Sequence, residues 1–126
     1  MTIHPTPTVV VVDDSPSVRI LFERGTENLD VNLMIFESAR SSWEYLEGNK
    51  PELLFLNIKM PGKDGLTFLK ELRELPLHKD TSVVIISSKD YAQDRTIANE
   101  LGAQDFITKP MRIKAITDVV LKYIGN

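Results

Sequence analysis

At 126 residues, 42% apolar, 26% charged and with a formal charge of −3, the chain has the size and balance of one soluble globular domain with a real core. The acidic balance argues against a nucleic-acid-binding surface, and the absence of cysteine excludes disulfides, zinc thiolates and thiol catalysis. No apolar run approaches the roughly 18 residues of a membrane span, and the opening Met-Thr-Ile-His-Pro-Thr-Pro-Thr lacks the basic region and apolar core of a signal peptide, so a cytoplasmic protein with no membrane contact is expected.

Residues 1–7 carry Pro5 and Pro7 and read as a loose N-terminal arm before a single domain over residues 8–126. Val9 to Val12 is a continuous apolar run, the pattern of a parallel strand buried on both faces. It ends in Asp13-Asp14. Ser15 as N-cap and Pro16 at the first helical position open a helix whose Val18, Leu21, Phe22 and Leu29 share a face. Leu33 to Phe36 is a weaker strand candidate. Ser41 or Ser42 caps a short helix through Trp43 and Leu46, ended by Gly48. Leu53 to Leu56 is a second buried strand, closing on Asn57, and Met60-Pro61-Gly62 with Asp64-Gly65 is turn chemistry. Leu66, Leu69, Leu72 and Leu75 stripe the next helix, which Pro76 stops. His78 falls in a polar loop and is expected to be exposed. Val83 to Ile86 is a third buried strand, closing on Ser87. Ile97, Ala98 and Leu101 mark a helix with Gly102 at its C-terminus. Phe106-Ile107 is a short strand before Thr108-Lys109-Pro110, and Ile113, Ile116, Val120 and Ile124 stripe the last helix.

Strand followed by helix, five times over, predicts an α/β fold: a doubly wound five-stranded parallel sheet with helices on both faces. Ligands of such sheets bind outside the carboxyl ends of the strands. Asp13, Asp14, Asn57, Ser87 and Lys109 all fall at that edge. Each has an ordinary use. An aspartate there caps a helix, a serine ends a turn, and a lysine is solvated. Together, adjacent carboxylates suit magnesium, the ammonium suits a phosphoryl oxygen, and the hydroxyl can donate to one. Asn57 stands where a nucleophilic carboxylate is needed. The sequence has no glycine-rich nucleotide loop, no Walker motif and no zinc-protease motif.

Val-Val-Val-Val-Asp13-Asp14-Ser, Leu-Phe-Leu-Asn57-Ile-Lys-Met-Pro61-Gly-Lys-Asp64-Gly65, Ile-Ile-Ser87-Ser and Phe106-Ile-Thr-Lys109-Pro110, in that order and spacing, resemble the receiver domain of two-component response regulators. The resemblance covers essentially the whole chain and is strongest for the single-domain, chemotaxis-type subgroup. It implies the flavodoxin-like strand order 2-1-3-4-5. It implies Mg2+ bound directly by Asp14, through water by Asp13, and by the Lys59 backbone carbonyl. Ser87 becomes the switch hydroxyl, Phe106 the coupled aromatic and Lys109 the phosphoryl-binding lysine. The partners implied are a histidine kinase or phosphotransfer protein and an output protein. Output runs through the last two helices, around Lys89, Asp90, Tyr91, Arg95, Asn99, Phe106 and Met111.

The acceptor aspartate aligns with Asn57, which also remains a metal-ligand position through its amide oxygen. An amide is a poor nucleophile, so no acyl phosphate is expected. Either the residue is an engineered or recent replacement in a phospho-acceptor, or the chain is a natural pseudo-receiver that works as a phosphorylation-independent interaction module. The intact Asp13, Asp14, Ser87 and Lys109 favour the first. A magnesium-dependent phosphohydrolase with Asp13 as nucleophile is the enzyme alternative. It lacks room for a cap domain or substrate pocket, so the expectation is a non-enzyme.

Overall fold

The computed structural model describes residues 5–124. Five strands, β1 (Thr8–Val12), β2 (Asn32–Phe36), β3 (Leu53–Asn57), β4 (Val83–Ser87) and β5 (Asp105–Thr108), alternate with α1 (Pro16–Thr26), α2 (Ala39–Leu46), α3 (Gly65–Arg73), α4 (Ala92–Glu100) and α5 (Ile113–Ile124). All pairings are parallel and the order is β2-β1-β3-β4-β5. This is the expected doubly wound sheet.

The continuous apolar runs have a direct cause. Successive strand residues point to opposite faces, and here both faces are covered. Val10, Val12, Leu54, Leu56, Val83 and Ile85 pack with Ala39, Leu46, Phe68, Leu69, Leu72 and Ala98, under α2, α3 and α4. Val9, Val11, Leu53, Phe55, Val84 and Ile86 pack with Val18, Phe22, Ile116 and Val120, under α1 and α5. The three central strands are almost wholly buried, whereas β2 and β5 at the sheet edges are only partly so. That explains why the edge strands were weaker in the sequence.

Five local expectations are corrected. Helix α1 ends at Thr26, so Leu29 lies beyond it. Helix α2 starts earlier, with Ser38, in extended conformation, as N-cap in a reciprocal capping box with Ser41, so that Ser41 and Ser42 lie inside the helix. Helix α3 ends at Arg73, so Leu75 lies beyond it and Pro76 opens a short 3-10 turn. Met111 is buried among Phe22, Ile116 and Val120 and adds nothing to an exposed face. His78 is fully buried rather than exposed. One ring nitrogen sits 2.8 Å from Thr81 Oγ1 and the other bonds the Leu46 carbonyl, the last residue of α2. Beside it the Arg73 guanidinium donates to the carbonyls of His78, Thr81, Leu101 and Gly102. Burial lowers the pKa of Arg73. This polar knot ties α2, α3 and α4 together at the amino end of the sheet, away from the carboxyl edge. No helix among the described residues is long and apolar enough to cross a membrane. Residues 1–4 of the expected arm lie outside the described residues, and the Pro7 carbonyl already accepts a bond from Asn32 N at 2.8 Å.

Candidate functional site

The carboxyl edge gathers the side chains that the sequence placed there. Asp13 follows β1 and is buried to 3% exposure. Its Oδ1 accepts the Ser15 amide at 2.9 Å, which orients the carboxylate at the start of α1. Its Oδ2 lies 2.9 Å from the Lys109 ammonium but makes no hydrogen bond. The contact is thus an ion pair off the hydrogen-bonding direction, with a buried lone pair left over. Lys109 leaves the end of β5, where its amide donates to the Ser87 carbonyl at 2.8 Å, and its peptide bond to Pro110 is cis. Asp14 is exposed.

Asn57 is the last residue of β3 and is 4% exposed. Its amide nitrogen donates to the Lys59 carbonyl at 2.9 Å and to Asp14 Oδ1 at 3.4 Å. Ser87 closes β4, also 4% exposed, and its hydroxyl accepts the Lys89 amide at 3.1 Å. Among the described residues no hydrogen bond joins it to Asn57. The partly buried Phe106 ring lies beneath the Arg95 guanidinium, 4.4 Å from ring centre to guanidinium carbon. Arg95 is also paired with Asp90. That bond holds the Asp90 carboxyl below its usual range and the guanidinium above, but both groups are exposed, so the pair contributes little stability.

The sequence reading missed the role of Gly65. An added Cβ would lie 2.1 Å from the Asn57 carbonyl oxygen, so only glycine lets α3 start this close to the end of β3. Its amide donates to the Ile58 carbonyl at 2.7 Å. The signal was present in Asp64-Gly65, with Asp64 as the N-cap of α3 through Thr67 N at 2.8 Å. The dipeptide announces a turn but not which backbone it touches.

Hard oxygen donors are what magnesium takes. The Asp13 and Asp14 carboxylates and the Lys59 carbonyl are oxygens of that kind, whereas Asn57 turns its amide nitrogen to Lys59 O and Asp14 Oδ1; the unbonded Asp13 Oδ2 is consistent with such an ion nearby. No three His, Cys, Asp or Glu side chains converge among the described residues. The cleft is therefore one carboxylate poorer than an all-aspartate version.

A model of the response regulator receiver domain matches residues 9–121. The cyclic di-GMP phosphodiesterase response regulator RpfG of Xanthomonas campestris is 33% identical over 106 residues, 82% of this chain and 28% of that protein. The transcriptional regulatory protein AruR of Pseudomonas aeruginosa is 36% identical over 111 residues, 83% of this chain and 44% of that protein. The chain thus spans less than half of either. The receiver domain of the sensor histidine kinase PA1611 from Pseudomonas aeruginosa, solved with magnesium in its active-site cleft, superposes with a TM-score of 0.83 at 16% identity, over 97% of this chain and 100% of that one.

Proposed function

The chain belongs to the response regulator receiver domain family, and we propose that it is a signal-receiving module with Asn57 at the phospho-acceptor position and hence no phosphorylation as written. The observation that carries this reading is the gathering of Asp13, Asn57, Ser87 and Lys109 at the ends of β1, β3, β4 and β5. The Lys109–Asp13 pair at 2.9 Å brings the ends of β1 and β5 together across the sheet.

In this reading Asp14, Asp13 and the Lys59 carbonyl would hold Mg2+, with the Asn57 amide oxygen joining only after the amide turns over, and the ion would supply positive charge against a phosphoryl group. Lys109 offers a second positive charge, and Ser87 a hydroxyl for a phosphoryl oxygen. A carboxylate at position 57 would attack the donor's phosphorus, forming the acyl phosphate as the phosphorus–nitrogen bond to the donor's histidine breaks and the imidazole leaves. The amide of Asn57 has a delocalised nitrogen lone pair and a neutral oxygen, so that step stops. Without a phosphoryl group there is no differential contact to draw Ser87 from Lys89 N towards position 57, and the resting conformation dominates.

The upstream partner is a histidine kinase or phosphotransfer protein, in the cytoplasm. The output partner docks on α4, β5 and α5. In support, Arg95, Asn99 and Phe106 line a recess of about 340 Å3, and Tyr91 nearby is 58% exposed. The module itself turns over no substrate. A second reading is a phosphorylation-independent interaction module on the same face. The hydrogen-bonded fit of Asn57 into its surroundings favours it, since this residue is not a misfit.

Beryllofluoride, a phosphoryl mimic that needs a carboxylate, tests the assignment. Amide spectra should shift clearly around Ser87 and Phe106 in Asn57→Asp and stay unchanged in the Asn57 protein. No shift in Asn57→Asp would remove the receiver assignment of the site. Equal large shifts in both would show a switch thrown without the acceptor.

A further inference from the structure

We propose that the Asn57 amide is a built-in replacement for the divalent cation of this cleft, holding Asp14 and the β3–α3 turn by donation where a metal would hold them by coordination. The inference rests on the receiver reading for the identity of the cation site, but its evidence is the hydrogen bonding of Asn57. An amide group carries two N–H donors. The nitrogen donates to the Lys59 carbonyl at 2.9 Å and, over a longer contact, to Asp14 Oδ1 at 3.4 Å. These are two of the oxygens that a cation would take. The orientation of the amide follows from chemistry. Both neighbours are pure acceptors, and the flipped amide would set its own oxygen against them.

The surroundings leave the group little freedom. Asn57 is 4% exposed, its backbone is pinned in β3, and α3 begins directly on its carbonyl at Gly65. Gly65 N also donates to Ile58 O at 2.7 Å, which closes the turn from the other side. A cation entering this cleft has first to turn the amide over and break both bonds. An aspartate at the same position makes neither bond and needs the cation to reconcile three neighbouring carboxylates. The turn after β3 is therefore ordered without magnesium in this chain. Magnesium should bind about tenfold or more weakly than to Asn57→Asp.

Hydrogen exchange in 15N-labelled protein decides it, with EDTA and with excess magnesium. In EDTA the Asn57 side-chain NH2 should be protected, and backbone amides of residues 58–64 should exchange at the same rate as with magnesium. In Asn57→Asp that segment should exchange faster in EDTA and slow on adding magnesium. Asn57→Ala, which loses the donor, should also exchange faster in EDTA. A freely exchanging Asn57 NH2, or a segment that needs magnesium in the Asn57 protein, overturns the proposal. The NH2 result stands apart from the receiver reading. If Asn57→Asp ignores beryllofluoride while the NH2 is protected, the receiver assignment fails and the amide bridge remains.

Discussion

Replacing Asn57 by aspartate should destabilise the metal-free protein. The exchange is nearly isosteric, so no cavity forms and the cost is electrostatic. Two hydrogen bonds vanish, to Lys59 O at 2.9 Å and Asp14 Oδ1 at 3.4 Å; the first is worth about 1 kcal/mol net and the second, long and made to an exposed carboxylate, less. A new negative oxygen then faces the Asp14 carboxylate. At about 4 Å that repulsion is about 4 kcal/mol at an effective dielectric of 20 and about 1 kcal/mol in water. Asp14 is exposed, so the lower figure is nearer, and Lys109, already paired to Asp13, offsets part of it. The net loss is about 1–3 kcal/mol, or roughly 3–12 °C in melting temperature for a chain of this size. Calorimetry in EDTA at neutral pH reads the difference. It should shrink with added salt, which screens the exposed charge, and with magnesium, which binds the native state. An Asn57→Asp protein that melts at the same or a higher temperature in EDTA would refute the reasoning, and would mean that Lys109 lacks a counter-charge in the Asn57 form.

Two further outcomes follow from the same geometry. Lys109→Ala strips the partner from a carboxylate that is 3% exposed, so it should lower stability by about 3 kcal/mol in denaturant titration; an unchanged midpoint would show that Asp13 is satisfied without it. Tyr123 donates to Asp105 Oδ2 at 2.5 Å, and burial, with that bond, pushes its pKa up to about 12. A raised folded pKa gives stability that is complete below the ordinary value near 10 and lost as pH rises towards 12. Tyr123→Phe should therefore be less stable than the parent at pH 8, with the gap closing between pH 10 and 12; a constant gap would contradict the Tyr123–Asp105 bond.

The central strands were legible because each run is apolar whichever face a residue points to, and the core covers both faces. The edge strands were fainter because only one side of each is paired. The site was legible as a list of strand ends, since Asp13, Asn57 and Ser87 each interrupt an apolar run and Lys109 follows directly on the end of β5 at Thr108. Long-range partners were not. Nothing around His78 announces the Leu46 carbonyl, 32 residues earlier in the chain, that bonds it in the interior. Nothing around Asn57 announces that its nitrogen, rather than its oxygen, faces Asp14. The four carbonyl partners of Arg73 come from segments that meet only in the folded chain.

The identity of position 57 sets what the whole cleft can do. Incubation with acetyl phosphate and magnesium, followed by intact-mass measurement, tests that directly. The chain should keep its mass, and Asn57→Asp should gain one phosphoryl group that hydroxylamine removes. A stable phosphoryl gain on the Asn57 protein would contradict the account, because the acceptor would then lie elsewhere than at the end of β3.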